Sequence, residues 1–451
     1  MSLIGSPRDC AGNLFRSSGL ARFQTILTPK DFRTIAQQTG CAPEKDRPLI
    51  PEVVCWLMMI VALHTQSMTQ GLLVAWGWVR SVCPRLPVTS VTEEAFCQAR
   101  RDLPLSFWKA LWHLLGSRYE QQFDAGMRWK GLFRVLAADG SEVILPKAKA
   151  LIKFFGCPKG RHGTSPQPQG RLVAMCSVFT GFCLAFKFVA LKVSEHAALR
   201  HLIRLLQGND LLLLDRGFFS YAAIWLIRLR NAHYLIRLSR QMVKHANRTS
   251  RLGPDEWMVR FRPIAQSCRK CPGLPGELIC RLIRYQQPGF RHSWLVTSLM
   301  QPRRYTREDL VHLYHQRWTV ETIYREWKHT LDIQNLRSHT PAGILKEVYA
   351  QLMLSNLVRW IMTEATQDTD HSPLDYSFVT TLTLVKVSVA RMIQAGDARI
   401  PWYYQQLLAD IRAAKIRKRP GRSYPRPKDG TIKDKGSGRL QLPSRIIRKL
   451  A

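Results

Sequence analysis

The residues predict an α/β protein: a mixed sheet carrying helices, interrupted by a β-rich insertion and preceded by an all-helical part. Three observations carry this expectation. Up to about residue 125 the chain is punctuated by helix-opening Pro and capping residues. From Leu132 on, short β-branched and aromatic runs alternate with helical periodicity. Between His233 and Met300 strand-like alternation recurs instead.

Each element has a local reason. Thr28-Pro29 and Ile50-Pro51 open helices with Pro at the first position, and Ser90 and Glu93 have the spacing of a capping box. That last segment carries Gln98, Arg100 and Arg101, and Pro84, Pro87 and Pro104 separate the pieces. Residues 133–138 read as a strand ending at Asp139-Gly140. Residues 171–179 and 182–191 flank Thr180-Gly181, a hairpin signal. Ser194 caps an amphipathic helix to Leu206, Leu211 to Leu214 form a short buried strand running into Asp215, and residues 219–230 form a helix. Strands are expected at residues 234–238, 257–261, 277–285 and 293–299. Helices resume at Thr306, and two long ones fill residues 341–393. The tail after Arg412 is basic and rich in Pro and Gly, suited to tracking phosphates.

The chain has 451 residues, long enough for about two to four domains, and its 46% hydrophobic content excludes disorder over most of the length. Lys and Arg number 67 against 32 Asp and Glu, a net charge of +35 that calls for a polyanionic partner, nucleic acid first. The apolar run from Val53 to Leu63 is too short to span a membrane, and the first residues lack a secretory signal. A cytoplasmic protein is therefore expected. Cys55, Cys97, Cys176 and Cys183 sit in apolar surroundings as reduced thiols, and the lone Cys268-x-x-Cys271 has no second pair for zinc. No nucleotide-binding Gly-rich motif occurs, so no nucleotide cofactor is expected.

Two carboxylates stand directly after apolar strands: Asp139, and Asp215 after four Leu. A strand end holds such a group rigidly at the rim of a sheet, although Asp before Gly is also a common turn. Glu142 and Asp210 end no buried run. Tyr314, Arg317, Glu321, Arg325 and Lys328 follow one another at helical spacing, within an arc of roughly 80° on one face. Leu313, Val320, Ile323, Trp327 and Leu331 form the apolar face beside them, and Glu326 points elsewhere. The stripe is either a solvated ion-paired face or an acid set among phosphate-gripping cations. Three carboxylates from two strands and a helix could hold two Mg²⁺ or Mn²⁺ ions for an in-line phosphoryl transfer.

The spacing Tyr314-x2-Arg317-x3-Glu321-x6-Lys328, with Leu-Ala-Ala-Asp139-Gly-Ser and Leu-Leu-Asp215-Arg-Gly-Phe before it, resembles the DDE transposases of bacterial insertion sequences, specifically the insertion-sequence-4 family. The order Asp, Asp, β-rich insertion, Glu is similar as well. The resemblance implies a ribonuclease-H-like core divided as follows: a helical DNA-binding domain at residues 1–125, the first part of the core at 126–232, the insertion at 233–303, the second part with C-terminal helices at 304–400, and a basic tail at 401–451. It implies Asp139, Asp215 and Glu321 as catalytic and metal-binding groups for two Mg²⁺ or Mn²⁺ ions. Tyr314, Arg317, Arg325 and Lys328 would contact DNA phosphates, and Trp294 would stack an extruded base where a hairpin is used, the alternative being a Trp that fills the core. Trp318 is read as a packing residue. The implied partners are the terminal inverted repeats, target DNA and a second copy of the chain, in a bacterial, nucleoid-associated protein. A catalytically silent DNA-binding derivative and a nuclease without strand transfer remain as alternatives.

Overall fold

In the computed structural model the described residues are 26–416, apart from 43–48, 64–66, 83–89, 161–162, 272, 288–290 and 396. Pro84, Pro87 and the basic tail from Arg417 onward lie outside them. Among the described residues five helices come first: α1 (Pro29–Gln38), α2 (Pro51–Leu63), α3 (Met68–Val82), α4 (Glu93–Asp102) and α5 (Leu105–Phe123). Thr28 caps α1 in a reciprocal box with Asp31. The cap of α4 is Thr92, which accepts the Ala95 N–H, rather than Ser90; the Glu93 carboxylate is taken by Thr69 of α3.

The sheet begins with β1 (Arg134–Ile144), followed by α6 (Lys149–Phe155) and the two-residue strands β2 (Lys159–Gly160) and β3 (Gly163–Thr164), which pair only with each other. Then come β4 (Gln169–Ser177), β5 (Cys183–Ala190), α7 (Glu195–Ile203), β6 (Asp210–Leu214), α8 (Tyr221–Leu229) and β7 (His233–Leu238). The turn between β4 and β5 holds Gly181 at φ +75°, where an added Cβ would meet Arg359 at 2.9 Å, so this hairpin needs glycine. The next stretch supplies α9 (Arg240–Lys244), β8 (Asn247–Gly253), β9 (Glu256–Phe261), α10 (Ala265–Lys270), β10 (Leu278–Tyr285) and β11 (Ser293–Thr297). The described residues close with α11 (Arg307–His315), α12 (Trp318–His329), α13 (Pro341–Thr366), α14 (Phe378–Gln394) and α15 (Ile400–Ala413). Residues 401–413, read from sequence as tail, are thus helix: Leu407, Leu408 and Ile411 are buried, and apolar burial overrides the basic composition around them.

One nine-stranded mixed sheet has the order β5-β4-β1-β6-β7-β11-β10-β9-β8. Strand β1 is antiparallel to β4 and parallel to β6, and β6 is parallel to β7. Strand β7, expected from sequence at the start of the insertion, pairs in parallel with β6 and so belongs to the core sheet; the rest of the β-rich stretch continues that sheet edge to edge, joined where β11 pairs with β7. Alternate residues feed two cores. Val135 and Ala137 face α11 to α15, whereas Leu136 and Ala138 face α7 and α8.

Among the described residues the first helices share one core with α13 and the sheet. Tyr119 of α5 stacks on Phe182 at 3.8 Å and meets the Thr363 hydroxyl at 2.9 Å, and Trp112 donates to the Leu184 carbonyl at 3.0 Å. Lys346 of α13 donates to the Arg100 and Arg101 carbonyls at the carboxyl end of α4, while Arg100 pairs with Glu347. Arg100 is thereby a packing group. Among the described residues no helix is long and apolar enough to cross a membrane.

Candidate active site

Asp139 lies within β1 rather than at its end. The strand continues to Ile144 because the long partner β4 stays in register, Asp139 opposite Ala174 and Ile144 opposite Gln169. The turn alternative for Asp139 is thereby excluded. Asp215 follows β6 with extended backbone, ψ 165°, and starts a short 3₁₀ turn without a capping hydrogen bond from its side chain, so its carboxylate is not spent on the turn. The parallel register Ala137–Leu213, continued past the last paired residues, puts Asp139 and Asp215 at matching positions of neighbouring strands. The other two acids weighed from sequence serve structure. Asp210 makes a bidentate pair with Arg134 at 2.7 Å, and Glu142 meets Arg171 at 3.1 Å.

The third acid arrives on α12. The five-residue stripe is not on one continuous helix, since α11 ends at His315 and α12 begins at Trp318, with i to i−3 hydrogen bonds at Gln316 and Arg317. This tight step buries Arg317 and brings its guanidinium between two acids: Nη2 is 2.6 Å from Glu321 Oε1, and Nη1 is 3.5 Å from Asp139 Oδ2. The apolar face is as the sequence predicts, with Leu313, Val320, Ile323, Trp327 and Leu331 all buried. Glu326 turns away to Arg359 of α13.

A tyrosine absent from the sequence-derived site fixes the geometry. The Tyr324 hydroxyl sits 2.7 Å from the Asp139 carbonyl and 3.0 Å from that of Leu172, and it accepts the Ala174 N–H at 2.9 Å. It therefore clamps α12, three residues after Glu321, to β1 at Asp139 itself. The available signal was a hydroxyl on the buried face of an amphipathic helix, which requires partners.

The electrostatics tie the three acids together. Burial pushes the Asp139 carboxyl up to about 6, against the Gly140 N–H and Arg317, with the Glu321 and Asp215 carboxylates adding to the rise. Burial opposes the Arg317 charge, but Tyr314, Glu321 and Asp215 outweigh it and hold its pKa above the usual value. Two guanidinium nitrogens, Nε and Nη1, are buried without a hydrogen-bond partner. Nε is a donor for an oxyanion.

Tyr314 is buried and bonds through its hydroxyl to the Leu214 carbonyl at 3.3 Å, the residue before Asp215, so it braces that strand end. Arg325 is exposed and Lys328 partly exposed on α12, one and two turns past Glu321, and neither forms an ion pair within the described residues. Trp318 is 49% exposed beside Arg317, not packed: it opens α12 at the step, where no neighbouring element covers it.

Trp294 does not join the acids. Its strand neighbour Leu295 faces the α11–α12 side, and Trp294 itself packs on the core of α7 and α8. There it meets the Trp257 ring at 5.7 Å, with Arg248 at 5.5 Å and Arg284 at 6.0 Å from its own. The one-residue alternation of a strand decides the face. Arg237 and Tyr285, absent from the sequence-derived site, do face the acids' side. The Arg237 and Asp215 charges both act on Tyr285 and Tyr314.

Among the described residues no three His, Cys, Asp or Glu side chains stand close enough together to hold a metal ion. The donor chemistry nonetheless suits a hard divalent cation. Three carboxylates come from adjacent strands and a facing helix, and carboxylate oxygens are the donors such an ion takes.

Residues 130–357, just over half of the chain, match the family described as Transposase DDE domain. Over 305 residues the chain is 28% identical to the transposase InsG for insertion sequence element IS4 of Escherichia coli (strain K12), covering 66% of this chain and 68% of that protein. It is 21% identical over 362 residues to the probable transposase for insertion sequence element IS5377 of Geobacillus stearothermophilus, covering 79% and 88%. A cryo-EM structure of a piggyBac transposase synaptic complex with hairpin DNA aligns over 94% of this chain and 90% of its own. Its identity is 12% and its TM-score 0.42, a likeness too low to establish a shared fold.

Proposed function

Because the chain belongs to the Transposase DDE domain family, as a DDE transposase of the insertion-sequence-4 type, we propose that Asp139, Asp215 and Glu321 form its catalytic centre, cutting the ends of the element and joining the 3′-hydroxyls to target DNA. The observation that carries this is the position of Arg317, paired with both Asp139 and Glu321 and within reach of the Asp215 charge.

Each group has a task in that reading. Asp139, Asp215 and Glu321 would hold Mg²⁺ or Mn²⁺, two ions in all, which when bound activate a water or 3′-hydroxyl and stabilise the leaving oxygen. Arg317 offers Nε to a phosphate oxygen. Tyr314 braces the strand end at Asp215, and Arg325 and Lys328 attract the phosphates of the terminal inverted repeat along α12. The half-sheet β5-β4-β1-β6-β7 is the ribonuclease-H-like core, β8 to β11 are the insertion, and α1 to α5 contribute to DNA binding. Two copies pair the two ends.

The test uses purified protein, a duplex carrying the flanking inverted repeat, and Mg²⁺ or Mn²⁺. Wild type gives metal-dependent breaks at the repeat boundary and joints to a target duplex, and Glu321→Gln gives neither while still binding. Breaks without joints would point to a nuclease. Binding without breaks from an assembled pair of wild-type ends would point to a silent DNA-binding protein.

A further inference from the structure

The parallel register that aligns the acids extends one strand further. Leu214 of β6 pairs with Ile236 of β7, so the next residues, Asp215 and Arg237, stand side by side. Leu235 lies in the core beneath α11 and α12 and Ile236 in the opposite one, which puts Arg237 on the same face as Asp139 and Asp215. A level row Asp139, Asp215, Arg237 thus crosses three adjacent parallel strands. Tyr285 and His315, with ring centroids 6.1 Å apart, flank its far end, and Gln287 holds the His315 ring at 2.9 Å.

Arg237 is unusual among the site's cations in having so little to bind. It is half-buried, its one hydrogen bond runs from Nη2 to the Ser293 hydroxyl at 3.3 Å, and no carboxylate lies within ion-pair distance among the described residues. Arg317 by contrast is already shared between two acids. A guanidinium has five donors in a fixed fork, and a half-buried one without a counterion favours an incoming oxyanion.

We propose that Arg237 is a phosphate-binding residue of the acid site, gripping a non-bridging oxygen of a DNA phosphate next to the one that is cut, on the β7 side of Asp215. This rests on the catalytic reading above. The cut strand then lies along the row, its scissile phosphate at the acids and its neighbour at Arg237, with Tyr285 and His315 walling the sugar between them.

The experiment is a single-turnover cleavage assay on the flanking-repeat duplex, with one phosphate at a time near the boundary replaced by an uncharged methylphosphonate. Wild type, Arg237→Ala, Arg237→Lys and Asp215→Asn are compared. Arg237→Ala should cleave the unmodified duplex on the order of 10- to 100-fold more slowly, the value of a charge-assisted hydrogen bond. At one position beside the scissile phosphate the methylphosphonate should slow wild type and have no further effect on Arg237→Ala, while Arg237→Lys keeps part of the sensitivity. Losses that multiply at every position, or wild-type cleavage by Arg237→Ala, would overturn the proposal. Should the alanine variant not fold, as judged by its urea midpoint, Arg237→Lys and Arg237→Gln carry the same comparison. Wild-type cleavage by Asp215→Asn would instead bring down the catalytic reading itself. A dead Asp215→Asn together with multiplying losses would remove only the role of Arg237.

Discussion

Replacing Tyr324 with Phe removes one oxygen and tests how the site is assembled. The ring packing stays, so no cavity is created. Two backbone groups lose a partner: the Ala174 N–H at 2.9 Å, and whichever carbonyl, Asp139 at 2.7 Å or Leu172 at 3.0 Å, takes the hydroxyl's single proton. Each buried group left unsatisfied costs about 1–3 kcal/mol, and with partial relaxation the total is on the order of 2–4 kcal/mol. Urea unfolding at pH 7 measures it as a lower midpoint with unchanged slope. Because the hydroxyl also ties α12 to β1 at Asp139, end cleavage should fall well below the loss in end binding. A stability change under about 0.5 kcal/mol, or cleavage and binding falling together, would refute the clamp.

Asp139 gives a pH signature. Its folded pKa, about 6, lies above the usual 3.8, so between those values the folded state holds the extra proton. That contribution is present at low pH and is lost as pH rises through about 6. In EDTA, Asp139→Asn should remove up to about 3 kcal/mol of the stability lost between pH 4 and 7, and an unchanged pH profile would contradict the burial argument. Adding Mn²⁺ should then raise the unfolding midpoint of wild type and not of Asp139→Asn. The buried pair of Asp210 with Arg134 predicts that Asp210→Asn costs about 3–5 kcal/mol, whereas Glu142→Gln, whose side chain is 50% exposed, changes urea stability by less than about 1 kcal/mol. Equal effects of the two would mean the pairs are not distinguished by burial.

What the sequence determined by itself was local. Thr28, Ser194 and the Thr180-Gly181 hairpin announce their elements because capping and turn chemistry act within a few residues. Four leucines before Asp215 and the spacing from Tyr314 to Lys328 mark the chemistry, because a buried strand and a helical face leave their period in the residues. The tertiary structure decided which faces meet. Nothing local says that β1 runs on past Asp139, for that depends on the length of β4, nor that β11 pairs with β7 and makes the insertion part of one sheet. The first helices share a core with α13 because their apolar faces find it. Trp294 packs on the core and Trp318 lies half exposed for the same reason: which side of a strand is covered, and which turn of a helix is left bare, is set by neighbours distant in sequence. The row of Asp139, Asp215 and Arg237 exists only through strand register, a relation between segments that no single segment encodes.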